Sequence, residues 1–125
     1  MKKILLVDDE ERMCQLLMLY LLPHGYSCNF VNNGEKAIEY MNTNTADFIL
    51  MDVMMPGKDG WETVKEIRKF SGVPIIMVTA RDREADIEKS TSCGANGHLS
   101  KPFDEKKLLF YVQKIIQENA TMSKD

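Results

Sequence analysis

Short apolar runs alternate with amphipathic segments along the chain. Residues 4–7, 48–51 and 75–78 are continuously apolar, as expected for parallel strands that are covered on both faces. Residues 28–31 are mixed in polarity and residues 98–100 form only a short stretch, which favours edge positions in a sheet. The pattern therefore predicts five strands, three of them central.

Apolar residues recur at helical spacing in the segments between these strands. The first helix is expected to stop near residues 23–25, and two others to open near residues 33–34 and 59–60. Residues 83–92 offer only Ala85 and Ile87 as apolar anchors, so we expect a weakly held helix there. The last helix carries an apolar stripe formed by Leu108, Leu109, Val112, Ile115 and Ile116.

This alternation predicts an α/β fold with a doubly wound five-stranded parallel sheet of order 2-1-3-4-5, the flavodoxin-like (βα)5 architecture. Ligands bind such sheets at the carboxyl ends of the strands where the strand order reverses, here between the first and third strands. We assign residues 1–117 to one domain. Residues 118–125 are polar, and we expect them to fray and to begin a linker to an effector domain.

Composition and charge exclude several classes of protein. The 125 residues include 16 basic and 19 acidic side chains, which is not the basic surface of a nucleic-acid-binding domain. Three scattered cysteines argue against a disulfide framework. The apolar run that follows the first lysines ends at residue 7, too short for a signal peptide or for the ~20 residues of a membrane helix. We therefore expect a cytoplasmic protein that binds neither nucleic acid nor membrane, with Sec-dependent export as the alternative.

Polar residues follow four of the predicted strands. Asp8 and Asp9 follow the first, Asp52 the third, Thr79 the fourth and Lys101 the fifth. Three carboxylates gathered at one edge repel, at roughly 4 kcal/mol for a pair ~4 Å apart and an effective dielectric constant of ~20. A divalent cation with oxygen ligands offsets that repulsion, and Mg²⁺ commonly combines one or two carboxylates with phosphate oxygens.

The chemistry that suits this set of residues is phosphoryl transfer. Asp52 would attack phosphorus as a nucleophile and form an acyl phosphate. The metal and Lys101 would stabilise the phosphoryl oxygens, Thr79 would donate its hydroxyl to one of them, and the small Ala80 would leave room. The structural alternative is that the aspartates cap the first helix, Thr79 is a packing hydroxyl and Lys101 is a solvated surface charge.

These residues stand in motifs that resemble the receiver domains of two-component response regulators. The matching segments are residues 7–10 (VDDE), 51–60 (MDVMMPGKDG), 74–80 (PIIMVTA), 94–95 (GA) and 101–103 (KPF). The resemblance extends from residue 2 to about residue 117 and implies that Asp52 is phosphorylated by a sensor histidine kinase or by small phosphodonors. It also implies a protein that catalyses only its own phosphorylation and dephosphorylation.

The resemblance further assigns the ligands of the site. It implies that Asp9 and Asp52 bind Mg²⁺ directly, that Asp8 acts through water, and that the backbone carbonyl of Met54 completes the protein ligands. Thr79 and Lys101 correspond to the phosphate contacts, and the bond between residues 101 and 102 to one that is cis in the family. The implied output is transcription through a C-terminal effector domain, and the alternatives are a stand-alone regulator or a phosphorelay intermediate.

Two positions depart from the family pattern. His98 stands where receivers usually place Tyr or Phe, and Asn96-Gly97 replaces an acidic pair that helps many DNA-binding relatives to dimerise. Helical geometry leaves Phe110 opposite the apolar stripe of the last helix. We therefore hypothesise that a face formed by the segment from Arg83 to Cys93, with His98 and Phe110, reports phosphorylation and forms a homodimer or contacts a partner.

Three other classes of function fit these residues less well. An aspartyl phosphatase of the haloacid-dehalogenase type carries a second Asp two residues after the nucleophile, where this chain has Met54. A nucleotide-binding domain would carry GxxxxGK[ST] or GxGxxG, and neither occurs. A degenerate receiver that serves only as a docking module would not need the complete set of Asp8, Asp9, Asp52, Thr79 and Lys101.

Overall fold

Five parallel strands form one sheet in the computed structural model, which describes residues 2–123 and the side chains as far as Glu118. The strands are β1 (Lys3–Val7), β2 (Ser27–Val31), β3 (Phe48–Met51), β4 (Ile75–Thr79) and β5 (Gly97–Ser100). Their order is β2-β1-β3-β4-β5, which confirms the predicted topology. β1 pairs with both β2 and β3, and Val7 lies opposite Val31 on one side and Met51 on the other.

Five helices connect and cover the strands: α1 (Glu11–Leu21), α2 (Gly34–Thr43), α3 (Gly60–Arg68), α4 (Glu84–Ser92) and α5 (Glu105–Ser123). The end of α1 agrees with the prediction, because a short 3-10 turn over Leu22–His24 leads into Gly25 at φ 86°. The starts of α2 and α3 agree as well. The side chains of Asn33 and Asp59 accept backbone N–H groups of the first turns of these helices, as N-cap residues do.

Side chains of the central strands alternate between two cores. Leu5 and Val7 pack with Val64 and Ile67 of α3 on one face of the sheet. Ile4 and Leu6 face the other way and pack with apolar residues of α1 and α5. Because both faces of β1, β3 and β4 are buried, these strands carry the continuous apolar runs that predicted them. In the described part of the chain, no helix is long and apolar enough to span a membrane.

Helix α4 is anchored differently from the prediction. Ala85 and Ile87 were expected to hold it, but both are exposed, Ile87 at 42%. The side chains turned into the fold are Asp86 and Ser90, which are 7% and 1% exposed. The apolar pattern failed here because α4 is held through polar contacts.

The predicted boundary at residue 118 does not coincide with the end of a helix, because α5 continues to Ser123. That the tail frays stays a prediction. Residues 124 and 125 of the predicted polar tail lie outside the described residues. The stripe on α5 is confirmed where it matters for the core, since Leu108 and Val112 are fully buried. Phe110 is 61% exposed, as its position opposite the stripe predicted.

Candidate phosphoacceptor site

Four parallel strands deliver the predicted site residues to one edge of the sheet. The N–H of Asp52 donates to the carbonyl of Val7 at 2.9 Å, so β3 brings Asp52 beside the end of β1. The N–H of Lys101 donates to the carbonyl of Thr79 at 2.8 Å, which joins the end of β5 to the end of β4. The peptide bond between Lys101 and Pro102 is cis, as the resemblance implied.

The three aspartates lie within reach of one ion. Asp8, Asp9 and Asp52 each offer a carboxylate oxygen, and these three oxygens lie within 4.8 Å of one another. Asp8 and Asp52 are 3% and 5% exposed, whereas Asp9 is exposed. The sequence prediction that this edge gathers three carboxylates is therefore confirmed.

Lys101 is the cation that lies between the two buried carboxylates. Its Nζ is 3.3 Å from Oδ2 of Asp8 and 3.7 Å from Oδ2 of Asp52. The remaining oxygens accept backbone donors, since Oδ1 of Asp8 accepts the N–H of Glu10 at 2.9 Å and Oδ1 of Asp52 accepts that of Met54 at 3.3 Å. One ammonium group thus faces two buried carboxylates, with the exposed Asp9 beside them.

Burial and mutual repulsion make ionisation of these groups costly. Desolvation, followed by the charge of Asp8, raises the pKa of Asp52 from 3.8 to about 6, and Lys101 opposes that rise. Desolvation likewise raises the pKa of Asp8. Beneath them, burial is the main reason that the pKa of the Cys14 thiol rises to about 11. The site therefore holds more negative charge than its one lysine neutralises, which favours a bound cation.

The alternative that the aspartates merely cap α1 does not fit the contacts. The N-cap residue of α1 is Glu10, and its side chain makes no capping hydrogen bond. Asp8 instead accepts the N–H of Glu10 itself and turns its other oxygen to Lys101. Lys101 is not a solvated surface charge either, since its side chain is only 15% exposed.

Thr79 and Met54 complete the predicted set of site residues. Thr79 is fully buried at the end of β4, and its Oγ1 accepts the N–H of Arg81 at 3.2 Å. Met54 is 54% exposed, and Nη1 of Arg81 lies 3.5 Å from its sulfur. The role of the Met54 carbonyl as a metal ligand stays a prediction.

A glycine allows α3 to begin directly against the phosphoacceptor candidate. A Cβ on Gly60 would overlap the carbonyl oxygen of Asp52 and lie 2.8 Å from Cα of Val53. The N–H of Gly60 donates to the carbonyl of Val53 at 2.9 Å. The first turn of α3 is thereby packed onto the peptide that carries the Asp52 side chain.

Sequence reasoning missed the polar contacts on the α4 side of the site. Arg81 pairs with Asp86 at 3.1 Å, and Ser90 bonds to both Trp61 and His98. Asn96, noted only for the acidic residue it replaces, accepts the N–H of Ile75 and a guanidinium N–H of Arg68. Hydrophobic periodicity carries no signal for such contacts, because each partner comes from a different element.

The family model for the response regulator receiver domain matches residues 4–113. The chain therefore belongs to the receiver domains of two-component response regulators. It is 39% identical to the transcriptional regulatory protein CpxR homolog of Haemophilus influenzae, over 98% of this chain and 54% of that protein. It is 36% identical to BaeR, a transcriptional regulatory protein of Escherichia coli, over 92% of this chain and 48% of that protein.

Solved structures agree with that assignment. A two-component response regulator from Clostridium difficile superposes with a TM-score of 0.89 at 29% identity, covering 94% of this chain and 97% of that one. The chain spans about half the length of the curated relatives it matches, since the matches cover 54% and 48% of the two relatives named above.

Proposed function

We propose that this domain takes a phosphoryl group onto Asp52 and thereby switches a signalling output. The observation that carries the proposal is the buried cluster of Asp8 and Asp52 around one lysine, completed by Asp9. Such a cluster is an unfavourable arrangement for a purely structural edge. Its charge and its position at the reversal of strand order suit an anionic substrate that arrives together with a divalent cation.

The donor set fits Mg²⁺. Hard oxygen ligands on Asp8, Asp9 and Asp52 are mutually within 4.8 Å, and the backbone carbonyl of Met54 is proposed as a further ligand. When bound, Mg²⁺ supplies positive charge that stabilises phosphoryl oxygens and offsets the repulsion among the carboxylates. Because the pKa of Asp52 is about 6, this side chain is largely ionised at neutral pH and available as a nucleophile.

The residues of this chain then perform a single displacement. A carboxylate oxygen of Asp52 forms a bond to phosphorus while the bond from phosphorus to the leaving nitrogen of a phosphohistidine breaks, and the released imidazole takes up a proton. Lys101 is proposed to stabilise a phosphoryl oxygen with its ammonium group, and Thr79 to do so with its hydroxyl. Aspartyl phosphatases carry a second carboxylate two residues after the nucleophile, and this chain has Met54 at that position. The difference favours a signalling switch over an enzyme with catalytic turnover.

Labelling with a small phosphodonor tests the assignment. Phosphoramidate with Mg²⁺ is expected to add the mass of one phosphoryl group to the wild type and none to Asp52→Asn. Asp59→Asn is the matched control, because Asn is as good an N-cap as Asp and the substitution lies on the same loop. Equal labelling of wild type and Asp52→Asn, or loss of labelling in Asp59→Asn alone, would contradict the proposal.

A sensor histidine kinase is the proposed donor. An apolar groove of about 350 Å³ opens beside the site, lined by Met13, Leu16, Ala80, Lys101, Pro102 and Phe103. Because Lys101 lines both the groove and the site, a protein seated there can present a phosphohistidine to Asp52. Leu16→Glu is expected to slow phosphotransfer from a phosphorylated kinase fragment while leaving labelling by phosphoramidate unchanged. An equal effect on both donors would remove the groove from this role.

The proposed output is control of transcription through an effector domain, because the relatives are named as transcriptional regulatory proteins. The proposed output face comprises the segment from Arg83 to Cys93, with His98 and Phe110, and Ile87 and Phe110 expose apolar surface on it. We expect Phe110→Ala to weaken self-association or partner binding of the phosphorylated domain, measured by sedimentation. Unchanged association in both phosphorylation states would exclude Phe110 from the face.

A further inference from the structure

Met54 exposes its side chain beside the site. It is 54% exposed, whereas every other methionine whose side chain the structure describes is buried or half-buried. A methionine thioether that meets solvent is open to oxidation, which turns a flexible apolar side chain into a polar sulfoxide. Met54 therefore presents a sulfur atom to oxidants only two residues after the phosphoacceptor candidate Asp52.

The three cysteines are poorer targets for an oxidant. Cys14 and Cys93 are 1% and 6% exposed, and Cys28 is half-buried. Burial is the main reason that the pKa values of the Cys14 and Cys28 thiols rise to about 11, and it also raises the pKa of Cys93. Because the thiolate is the form of cysteine that attacks an oxidant, these protonated thiols react slowly at neutral pH. Within the described part of the chain, Met54 is thus the sulfur that an oxidant reaches first.

The sulfur of Met54 faces a cation. Nη1 of Arg81 lies 3.5 Å from Sδ of Met54, and Nη2 of the same guanidinium lies 3.1 Å from Oδ1 of Asp86. A thioether sulfur is only a weak acceptor. A sulfoxide oxygen carries partial negative charge and accepts a stronger, charge-assisted hydrogen bond from a guanidinium group. Oxidation would hence convert the weak contact between Met54 and Arg81 into a strong one.

The contact between Met54 and Arg81 spans the two strand ends that carry the site. β3 and β4 are neighbours in the sheet. Met54 comes two residues after Asp52 at the end of β3, and Arg81 comes two residues after Thr79 at the end of β4. A phosphoryl group bonded to Asp52 and contacted by Thr79 would lie across the same two strand ends. A strong bond between Met54 and Arg81 therefore restricts the approach of a phosphodonor to Asp52.

We propose that Met54 is an oxidation site through which hydrogen peroxide slows the phosphorylation of this domain. A lone pair of the Met54 sulfur attacks one oxygen of the peroxide, the O–O bond breaks, and the other oxygen takes up the released proton and leaves as water. Sulfur loses two electrons and the peroxide gains them, so the step needs no further reactant. The sulfoxide oxygen then holds Arg81 across the ends of β3 and β4. The proposal rests on the proposed function, because its effect is on the phosphorylation of Asp52.

The oxidation itself is measured without phosphorylation. The wild type is treated with hydrogen peroxide in the presence of EDTA, the peroxide is removed with catalase, and the peptides are sequenced by tandem mass spectrometry. We expect an added oxygen atom at Met54 well before Met51 or Met55, which are 0% and 7% exposed. Oxidation of either of these methionines, or of a cysteine, ahead of Met54 would overturn the assignment.

The consequence is measured as the ratio of phosphoramidate labelling rates before and after peroxide, with each protein compared with itself. The wild type should label about tenfold more slowly after oxidation, the effect of one net hydrogen bond to a charged group, and methionine sulfoxide reductase should restore the initial rate. Met54→Leu has a similar volume but no sulfur, so peroxide should change its rate by less than about twofold. Met41→Leu is the matched control at a half-buried methionine of α2, and it should slow like the wild type.

Arg81→Ala tests the role of the guanidinium group. The Arg81 side chain is 47% exposed, so its removal leaves the core intact. Met54 should still be oxidised in this variant, but labelling should slow by less than about twofold. Equal labelling of the wild type before and after oxidation of Met54, or slowing of Arg81→Ala to the same extent as the wild type, would overturn the proposal.

The outcomes also separate this oxidation site from the function on which it rests. Absence of labelling in every protein before peroxide would contradict the proposed function. The side-chain ¹H–¹⁵N NMR signals of Arg81, recorded before and after peroxide, would still show whether the sulfoxide engages the guanidinium group. Unchanged Arg81 signals after complete oxidation of Met54 would overturn the proposed bond, whatever the labelling rates.

Discussion

Removing the charge of Asp52 is expected to stabilise the metal-free domain. Asp52 is 5% exposed, and burial together with the charge of Asp8 raises its pKa from 3.8 to about 6. A carboxyl group with a raised pKa in the folded state favours folding when it is protonated. That contribution is fully present below the unfolded value of 3.8 and is lost as the pH rises through about 6.

The magnitude follows from the interval between the two pKa values. Each unit of difference between the folded and unfolded pKa values corresponds to about 1.4 kcal/mol. Ionised Asp52 therefore lowers the free energy of unfolding at neutral pH by at most about 3 kcal/mol. Asp52→Asn removes that cost, together with part of the attraction to Lys101. We therefore expect the variant to be about 1 to 3 kcal/mol more stable than the wild type at pH 7.5 without divalent ions.

Urea unfolding followed by circular dichroism, with EDTA present, measures this difference at two pH values. At pH 5 much of the wild-type Asp52 is protonated. The difference in free energy of unfolding between Asp52→Asn and the wild type should therefore be about 1 kcal/mol smaller than at pH 7.5. Glu39→Gln, an exposed change of the same type on α2, should alter stability by no more than about 0.5 kcal/mol at either pH. A variant no more stable than the wild type at pH 7.5, or an advantage that does not narrow at pH 5, would refute the reasoning.

Three further predictions follow from the same geometry. Millimolar Mg²⁺ should raise the melting temperature of the wild type by several degrees, since a ligand at a hundred times its dissociation constant adds about 2.7 kcal/mol to the free energy of unfolding. A similar rise in Asp9→Asn would count against the carboxylate site. Gly60→Ala should lower the free energy of unfolding in urea by about 3 kcal/mol, because the new Cβ would overlap the carbonyl oxygen of Asp52. Gly72→Ala should be nearly neutral, because a Cβ there has nothing within 4 Å; equal costs for the two variants would refute the contact. Asn33→Ala should cost about 1 kcal/mol through loss of the α2 N-cap, and an unchanged unfolding midpoint would disprove that role.

The topology and the gathering of the acidic residues could be predicted because both follow from strand ends. A strand buried on both faces is recognisable in the sequence as an unbroken apolar run, and the carboxyl ends of parallel strands lie at the same edge of the sheet. Asp8, Asp52 and Thr79 each stand directly after or at the end of such a strand, and Lys101 follows the short edge strand β5. Their positions were therefore readable from the chain, whereas their roles in phosphoryl transfer stay proposals.

The α4 side of the domain could not be predicted in the same way. Hydrophobic periodicity pointed to Ala85 and Ile87, but the buried positions are Asp86 and Ser90. A buried polar side chain is stable only with a partner, and the partners here come from α3, β5 and the β4–α4 loop. The sequence showed only that His98 stands where receivers usually place Tyr or Phe, and the fold shows that both nitrogens of its ring are engaged.

Locating the phosphoryl group by chemical reduction tests the central claim most directly. Borohydride converts an aspartyl phosphate to homoserine. The wild type is labelled with phosphoramidate and Mg²⁺, reduced and digested, and the position of homoserine in the peptides then identifies the phosphoacceptor. We predict homoserine at position 52 and nowhere else. Homoserine at position 8, 9 or 59, or none in protein that has gained a phosphoryl group, would contradict the account.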